Sequence, residues 1–203
     1  MTFARLVLAA SINDQIPDPQ TNHLPAEPTT RSLIEYYLQH VYSLYPAFPE
    51  SSLTSLVDGL YQEPPRPVRS SEAWLFWMVL AIGSAAQSRK TGDQYYRNGL
   101  EFVARALPHA DRALMPGHVA QLLSLLLLTQ YSMVDPTHFD SWYLIGFTCR
   151  AAIDLGFHQD PASSQSSQDL ERRRRTFYCI YAFDRLARPL HHRWQRTNST
   201  QGN

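Results

Sequence analysis

Segment 119–133 constrains the fold more than any other part of the chain, because a helix formed there would be apolar on nearly every side. The segment is shorter than the roughly 20 apolar residues that a membrane-spanning helix needs. A helix of this kind must pack against neighbours in every direction, so it belongs at the centre of a bundle. Polar residues interrupt it, among them Gln121, Ser124, Thr129 and Gln130.

The remainder of the chain supplies amphipathic helices that could surround such a centre. Apolar residues recur at helical spacing in segments 33–44, 53–61 and 96–107. No segment between the turn signals alternates as a strand does. With 203 residues, of which 44% are hydrophobic, the chain is long enough for one packed domain. We therefore predict an all-α fold, an irregular multi-helix bundle.

Several residues are predicted to begin or end these helices. Asp135 followed by Pro136 combines an N-cap with a first-turn proline, which favours a helix start. Ser166 and Asp169 fit a capping box at the start of the last helix. Gly156 suits a helix C-terminus, where glycine adopts a left-handed conformation without steric cost.

The predicted organisation of the chain has three parts. Residues 1–28 form an N-terminal segment and a proline-rich linker, residues 29–189 form the helical domain, and residues 190–203 form an unstructured tail. Pro189 is predicted to end the last helix, because proline removes a backbone hydrogen bond. The apolar run 6–10 is too short for a signal peptide, and we expect a short helix or a frayed end there.

The sequence carries no signature of catalysis or metal binding. Its two cysteines, Cys149 and Cys179, form no C-x-x-C pair, and its eight histidines are scattered, so no zinc site is predicted. The nucleophile elbow, the glycine-rich phosphate loops and the H-E-x-x-H motif do not occur in it. The formal net charge is zero, which is not typical of an autonomous nucleic-acid-binding protein. We predict no catalytic residue and no metal ligand.

The arginine run 172–175 has two interpretations. It could be a phosphate-binding or nuclear-targeting patch. It could also be a helix segment with local ion pairs. This second interpretation is favoured, because four consecutive helical residues point in all directions and form no single patch. Glu171 and Arg175 are spaced for an i, i+4 pair. We expect at least one of the arginines to contact an acidic side chain or the carbonyl groups of a helix C-terminus.

Large aromatic residues also have two interpretations. They could line a small-molecule pocket, or they could fill the core, and the core is favoured because aromatic side chains bury large areas in helix packing. The residues in question are Trp74, Trp77, Trp142, Tyr178 and Tyr181.

Two stretches in the C-terminal third resemble motifs of one known family, and weaker matches precede them in the family's order. Residues 142–160 resemble a motif that begins W-x-x-x-G and ends L-G-L-H-R-D. They differ from it at Phe157, where the motif has leucine, and at Gln159, where it has arginine. Residues 171–185 resemble E-x-R-R-R-x-F-W followed by Y-x-x-D-R. Both are similar to the fungal-specific transcription factor domain, also called the middle homology or xylanolytic transcriptional activator regulatory domain of zinc-cluster transcription factors. The matching residues are Trp142, Gly146, Arg150, Ala151, Leu155, Gly156, His158, Asp160, Glu171, Arg173, Arg174, Phe177, Asp184 and Arg185.

The resemblance implies an all-helical domain of a nuclear protein that regulates transcription. In this family a six-cysteine zinc cluster upstream binds DNA. Six cysteines are not present here, so the resemblance implies no cofactor in this chain and DNA binding only through a missing domain. The family also continues from D-R through several residues to a G-R-P turn, whereas only Leu186 and Ala187 separate Arg185 from Arg188 and Pro189 here. We therefore expect the truncated, first half of a larger regulatory domain.

The leading hypothesis for function is a regulatory, non-catalytic domain that acts through protein contacts, self-association or the sensing of a small-molecule effector, without membrane contact. Two alternatives stay open. One is a free-standing helical interaction module without DNA binding, and the other is a small-ligand binder or enzyme that uses the aromatic core. The expected truncation also predicts an apolar patch on the last helix, around Phe177, Tyr178 and Tyr181.

Overall fold

The computed structural model describes residues 1–21, 23–160 and 166–199, with side chains as far as residue 187. The helices within these ranges are α1 (Phe3–Ser11), α2 (Glu27–Tyr37), α3 (Glu50–Tyr61), α4 (Ser70–Ala85), α5 (Gln94–Ala106), α6 (Ala110–Ala113), α7 (Val119–Val134), α8 (Ser141–Asp154) and α9 (Ser167–Ser199). No helix in the described ranges is long and apolar enough to cross a membrane.

Short irregular elements complete the bundle. A π-helical turn, Leu38–Tyr42, continues α2, and a 3-10 turn, Leu107–His109, joins α5 to α6. The β-type pairing in the described ranges is limited to an isolated antiparallel bridge between Ile12 and Phe139. The predicted all-α class is therefore confirmed.

Helix α7 lies at the centre, as its apolar sequence predicts. Its side chains pack against α4 on one side and α8 on another, and Leu122, Leu125 and Leu128 are completely buried. The polar residues within it are buried as well. Thr129 is accommodated because its hydroxyl donates to the Leu125 carbonyl at 2.8 Å, which satisfies a polar group inside the core.

Helix α4 forms the other half of the core and touches α2 very closely. A Cβ atom added to Gly83 would lie 2.5 Å from the backbone oxygen of Leu33, so only glycine lets the two helix backbones approach at this point. Trp74 is completely buried between α4 and α7, and its indole N–H donates to the Ser124 carbonyl at 3.2 Å. The core interpretation of Trp74 is thus confirmed.

The N-terminal segment packs into the domain, which differs from the predicted separation at residue 28. Ala4 and Val7 of α1 belong to the common core. The backbone N–H of Asp140 donates to the Ser11 carbonyl at 2.7 Å, so the end of α1 is fixed to the start of α8. Helix α2 begins at Glu27 rather than at 29, because Pro28 is tolerated within a first helical turn.

The prediction that Asp135 and Pro136 start a helix is wrong. Helix α8 begins at Ser141, and the Asp140 carboxylate caps it by accepting from the backbone N–H of Trp142 at 2.8 Å. Asp135 cannot serve as the cap, because its buried carboxylate accepts from the Tyr131 hydroxyl at 3.0 Å.

The prediction that the last helix ends at Pro189 is also wrong. The backbone of α9 continues to Ser199, so residues 190–199 are helical and not part of an unstructured tail. One proline removes a single backbone hydrogen bond from a helix, and residues 190–199 contain neither glycine nor a further proline. Residues 161–165 and the end of the predicted tail, 200–203, lie outside the described residues.

Candidate functional site

The two sequence stretches that carry the family resemblance meet where α8 ends and α9 begins. Gly156 ends α8 with φ of +69°. Its N–H donates to the Ile153 carbonyl at 2.9 Å, and the N–H of Phe157 donates to the Ala152 carbonyl at 2.8 Å. These two bonds form a Schellman motif, so the predicted C-terminal glycine is confirmed. The turn exposes the last carbonyl groups of α8 toward α9.

Arg173 of α9 binds these carbonyl groups. Its Nη2 donates to the Leu155 oxygen at 3.2 Å and to the Gly156 oxygen. The guanidinium carbon also lies 4.3 Å from the centre of the Phe157 ring, a cation–π contact. A cation is favourable here because the C-terminus of a helix carries partial negative charge. One arginine of the run therefore contacts helix C-terminal carbonyls, as the sequence predicted.

Arg174 makes the second contact between α9 and the end of α8. Its Nε and Nη2 donate to the two carboxylate oxygens of Asp160 at 3.2 and 2.8 Å. These hydrogen bonds hold the pKa of Asp160 below its ordinary value. We call Arg173 and Arg174, with their partners Leu155, Gly156 and Asp160, the arginine clasp.

The outer arginines of the run make local pairs. Arg172 pairs with Asp169, and Arg175 pairs with Glu171 at 2.8 Å. The predicted i, i+4 pair is thus confirmed, and the run is a paired helix segment. The Ser166 hydroxyl accepts from the backbone N–H of Asp169 at 3.1 Å, which confirms the predicted cap at the start of α9.

Most of the remaining motif residues lie apart from the clasp, whereas His158 lines the same depression as the clasp residues Asp160 and Arg174. Trp142, Gly146, Arg150 and Asp184 surround a shallow depression of about 470 Å³ beside α8. Ala151 is buried in the core, and His158 is exposed. Arg185 places its guanidinium carbon 5.0 Å from the centre of the Tyr181 ring.

An aromatic surface lies beside the clasp on α9, and we define it as Phe177, Tyr178 and Tyr181. Tyr178 is 64% exposed and Tyr181 is 48% exposed, whereas Phe177 is half-buried. The three residues line a depression of about 540 Å³ together with the clasp residues Asp160 and Arg174. The core interpretation of Tyr178 and Tyr181 is wrong, because both face away from the bundle, and the predicted apolar patch is found where the sequence placed it.

Two further aromatic residues occupy intermediate positions. Trp77 is half-buried, and the guanidinium carbon of Arg105 lies 4.7 Å from its ring centre. Trp142 is half-buried at the start of α8. The sequence therefore located the aromatic residues on helices but did not separate the buried ones from those at the surface.

A buried polar cluster near the end of α7 was not predicted from the sequence. Nδ1 of His138 lies 2.9 Å from the Asp135 carboxylate, which also accepts from Tyr131. Burial, followed by the nearby Asp135 charge, raises the pKa of Tyr131, so its hydroxyl remains a donor. The spacing of a tyrosine, an aspartate and a histidine at i, i+4 and i+7 was the available signal.

The cysteines and histidines do not form a metal centre in the described part of the chain. No three His, Cys, Asp or Glu side chains there are grouped so that they could hold a metal ion. Cys179 is buried in the core, and burial raises the pKa of its thiol to about 11. Because the thiolate is the reactive form of cysteine, Cys179 is a packing residue.

Comparison with known proteins places this helical bundle among transcription regulators. A family model described as "Fungal specific transcription factor domain" matches residues 34–188. The chain is 31% identical over 113 residues to Pyrimidine pathway regulatory protein 1 of Saccharomyces cerevisiae, covering 53% of this chain and 12% of that protein. It is 22% identical over 219 aligned positions to the Positive regulator of purine utilization of Emericella nidulans, covering 80% and 21%.

A third relative carries the zinc-cluster description in its name. The chain is 26% identical over 133 residues to Zn(2)-C6 fungal-type transcription factor pigI of Monascus ruber, covering 62% of this chain and 16% of that protein. The chain thus spans 12% to 21% of the length of these three relatives. No solved structure gives a significant match.

The class of protein follows from the fold and the matches together: a helical regulatory domain of a fungal transcription factor. Since the family model covers more than half of the chain, the chain belongs to the fungal specific transcription factor domain family. The resemblance that the motifs of α8 and α9 indicated is confirmed.

Proposed function

We propose that this chain is a non-catalytic module that acts in the nucleus and regulates transcription by binding a protein through the aromatic surface. The observation that supports it best is the exposure of Tyr178 and Tyr181 on a helix whose other side is packed into the core. Tyrosine is enriched at protein interfaces, because its ring gives a large apolar area and its hydroxyl a hydrogen bond.

The arginine clasp supports the proposal because it fixes the surface before a partner arrives. Arg173 and Arg174 hold the start of α9 to the end of α8 through hydrogen bonds to Gly156 and Asp160. A surface that is already ordered loses less conformational entropy on binding than a mobile one. The clasp is therefore proposed as a positioning element, and the tyrosines as the contact residues.

We propose that zinc and sequence-specific DNA binding belong to a different part of the protein. Two cysteines cannot supply a six-cysteine cluster, and the formal net charge of the chain is zero.

The buried pair of Asp135 and His138 is proposed to be structural. Its carboxylate also accepts from the Tyr131 hydroxyl in the core, so the pair stabilises the junction of α7 and α8.

A reporter experiment tests the proposal. The chain is fused to a bacterial DNA-binding domain in a fungal cell whose reporter gene carries the matching sites. We expect the fusion to change reporter expression several-fold relative to the DNA-binding domain alone. The double variant Tyr178→Ser, Tyr181→Ser should lose this effect at equal protein level, because the contact area is lost.

A matched control separates the surface from a general loss of aromatic residues. Tyr95 lies on α5 and is 45% exposed, so Tyr95→Ser removes an exposed tyrosine outside the aromatic surface. This variant should regulate the reporter as the parent does. A parent fusion without effect, or a double variant that regulates normally, would overturn the proposal.

A further inference from the structure

The loop that joins α3 to α4 presents a short proline-rich segment at the surface. Residues 64–69 read P-P-R-P-V-R, and we call them the proline segment. All six are exposed except Val68, which is half-buried. The segment shares no residue with the aromatic surface or the arginine clasp, so a role for it is separate from the function proposed above.

Local sterics direct the proline segment into the polyproline II conformation. A proline excludes the helical region for the residue before it, and this applies to Pro64 and Arg66. Each proline ring also fixes its own φ at about −65°. Residues 65–69 belong to no helix or strand, and Arg69 has φ of −73° and ψ of 154°, close to the polyproline II values of about −75° and +145°. The segment therefore runs as a short polyproline II stretch.

Two of the three edges of this stretch face away from the core. A polyproline II helix has three residues per turn, so Pro64 and Pro67 share one edge and Arg66 and Arg69 share another. Val68 belongs to the third edge, and its side chain packs against the hydrophobic core. The outer edges thus carry two prolines about 9 Å apart, at about 3.1 Å per residue, beside a row of positive charge.

Hydrogen bonds to α3 and α4 hold the proline segment in place. The backbone N–H of Arg66 donates to the Gly59 carbonyl at 2.8 Å, and its Nη2 donates to the Glu72 carboxylate at 2.9 Å. The backbone N–H of Arg69 donates to the same carboxylate at 3.0 Å. Within the described residues, the backbone carbonyls of residues 64–68 accept no hydrogen bond, so they are open to donors from a partner.

We propose that the proline segment binds an SH3-type domain of another protein. Such a domain has a groove lined by aromatic rings, where segments with the pattern P-x-x-P dock in the polyproline II conformation. Pro64 and Pro67 supply this pattern, and their rings would pack against the aromatic side chains. Arg69 lies two residues further on, where its guanidinium would pair with a carboxylate at the end of the groove.

The ordered conformation of the segment favours this kind of partner. A stretch that is already extended and fixed at both ends loses little conformational entropy when it binds. A nucleic acid fits the segment less well, because the Arg66 guanidinium is paired with Glu72 and proline rings form no contacts with phosphates that would raise affinity. An aromatic groove uses the rings, the open carbonyls and the charge together.

Titration with purified SH3 domains tests the proposal. The ¹⁵N-labelled chain is titrated with each SH3 domain of Saccharomyces cerevisiae, the organism of one relative. We expect at least one domain to bind with a dissociation constant below about 100 μM. The backbone amide signals that shift most should be those of the non-proline residues within 62–69, because a groove that holds Pro64 and Pro67 would cover them.

Two variants separate the contribution of the prolines from that of the charge. The double variant Pro64→Ala, Pro67→Ala should weaken binding of that domain at least about tenfold, because both rings are lost from the groove. Arg69→Gln keeps both prolines and should weaken binding about 5- to 50-fold, because one charge-assisted pair is lost. If the double variant does not fold, Arg69→Gln decides the outcome.

Matched controls change the same residue types elsewhere on the surface. Pro17, Pro28 and Arg112 are exposed and lie outside the proline segment. The double variant Pro17→Ala, Pro28→Ala and the single variant Arg112→Gln should therefore bind the SH3 domain as the parent does. Thermal melting followed by circular dichroism checks that each variant is folded.

Three results would overturn the proposal, and none of them bears on the reporter experiment. Absence of binding across the whole panel would show that the segment is only a connection between helices. Equal affinity of the parent and Arg69→Gln, or shifts centred outside residues 62–69, would show that a domain binds elsewhere. Sedimentation that finds an oligomer which Pro64→Ala, Pro67→Ala dissociates would show that a second copy of the chain covers the segment.

Discussion

Helices α7 and α9 are both needed to build the bundle, yet their surroundings are opposite. Leucine side chains are buried around the whole circumference of α7. In α9 the buried residues Thr176, Ile180 and Phe183 follow one helical stripe, and Tyr178 and Tyr181 face outward. The difference shows that α7 stabilises the fold by being buried on all sides. Helix α9 packs against the core with one side and leaves the other side exposed to solvent.

The largest expected effect comes from truncating one side chain on each helix. Leu125 in α7 is completely buried, and Tyr178 in α9 is 64% exposed. Leu125→Ala should lower the free energy of unfolding by about 2–5 kcal/mol, because it removes apolar contacts and leaves a cavity. Tyr178→Ala should change it by less than about 0.5 kcal/mol. Urea denaturation followed by circular dichroism measures both, and equal losses would contradict the distinction between the helices.

Two helical glycines extend the comparison to the backbone. Gly83 contacts α2 so closely that a Cβ would lie 2.5 Å from a backbone oxygen, whereas a Cβ at Gly146 on α8 would meet nothing within 4 Å. Gly83→Ala should destabilise the fold by about 1–3 kcal/mol through overpacking. Gly146→Ala should stabilise it by about 0.5–1 kcal/mol, the difference in helix propensity. Thermal melting gives the sign of each change, and the same sign in both would refute the packing described for α4.

The arginine clasp should contribute less than the core but more than the other ion pairs on α9. Arg173→Met keeps the apolar stem and removes the hydrogen bonds to Leu155 and Gly156, so we expect a loss of about 1–2 kcal/mol at this partly exposed site. Arg175→Met removes an exposed pair with Glu171 and should cost less than about 0.5 kcal/mol. Guanidinium titrations of both variants test this order, and a larger effect at Arg175 would contradict it.

The fold could be predicted where local chemistry and tertiary packing favour the same structure. The apolar sequence of α7 requires a central position, and Gly156 suits a helix end whatever its neighbours are. Asp135 shows the opposite case. Its side chain is a good N-cap by residue type, but contacts with Tyr131 and His138 bury it, and those contacts depend on the packing of several elements.

The sequence predicted the type of contact at the candidate site but not which residue makes it. The sequence indicated that some arginine of the run would reach helix C-terminal carbonyls, but it did not indicate that Arg173 would do so, because consecutive positions on a helix differ only in direction. The hydrogen bond that the buried Gln130 side chain accepts had no sequence signal, since a glutamine within an apolar helix is seen only as a polar interruption. Its partner Tyr37 is 93 residues away in the chain.

The smallest expected effect concerns the exposed pair of the clasp. Arg174 holds the pKa of Asp160 below its ordinary value of 3.8. A carboxyl group with a lowered pKa in the folded state adds stability above its ordinary pKa, and this contribution is lost as the pH falls through the lowered pKa. In Arg174→Gln the pKa of Asp160 should rise toward 3.8. Because the side chains of Arg174 and Asp160 are both exposed, the free energy of unfolding at neutral pH should hardly change.

Carbon-detected NMR of the Asp160 carboxyl group during an acid titration measures this shift directly. Arg175→Gln is the matched control, because Arg175 pairs with Glu171 and should leave the Asp160 midpoint where the parent has it. High salt should reduce the difference between parent and Arg174→Gln, since an exposed pair is screened. If the Asp160 midpoint were the same in the parent and in Arg174→Gln, the pairing of α9 with the end of α8 through this residue would not exist in solution, and Arg173 alone would form the clasp.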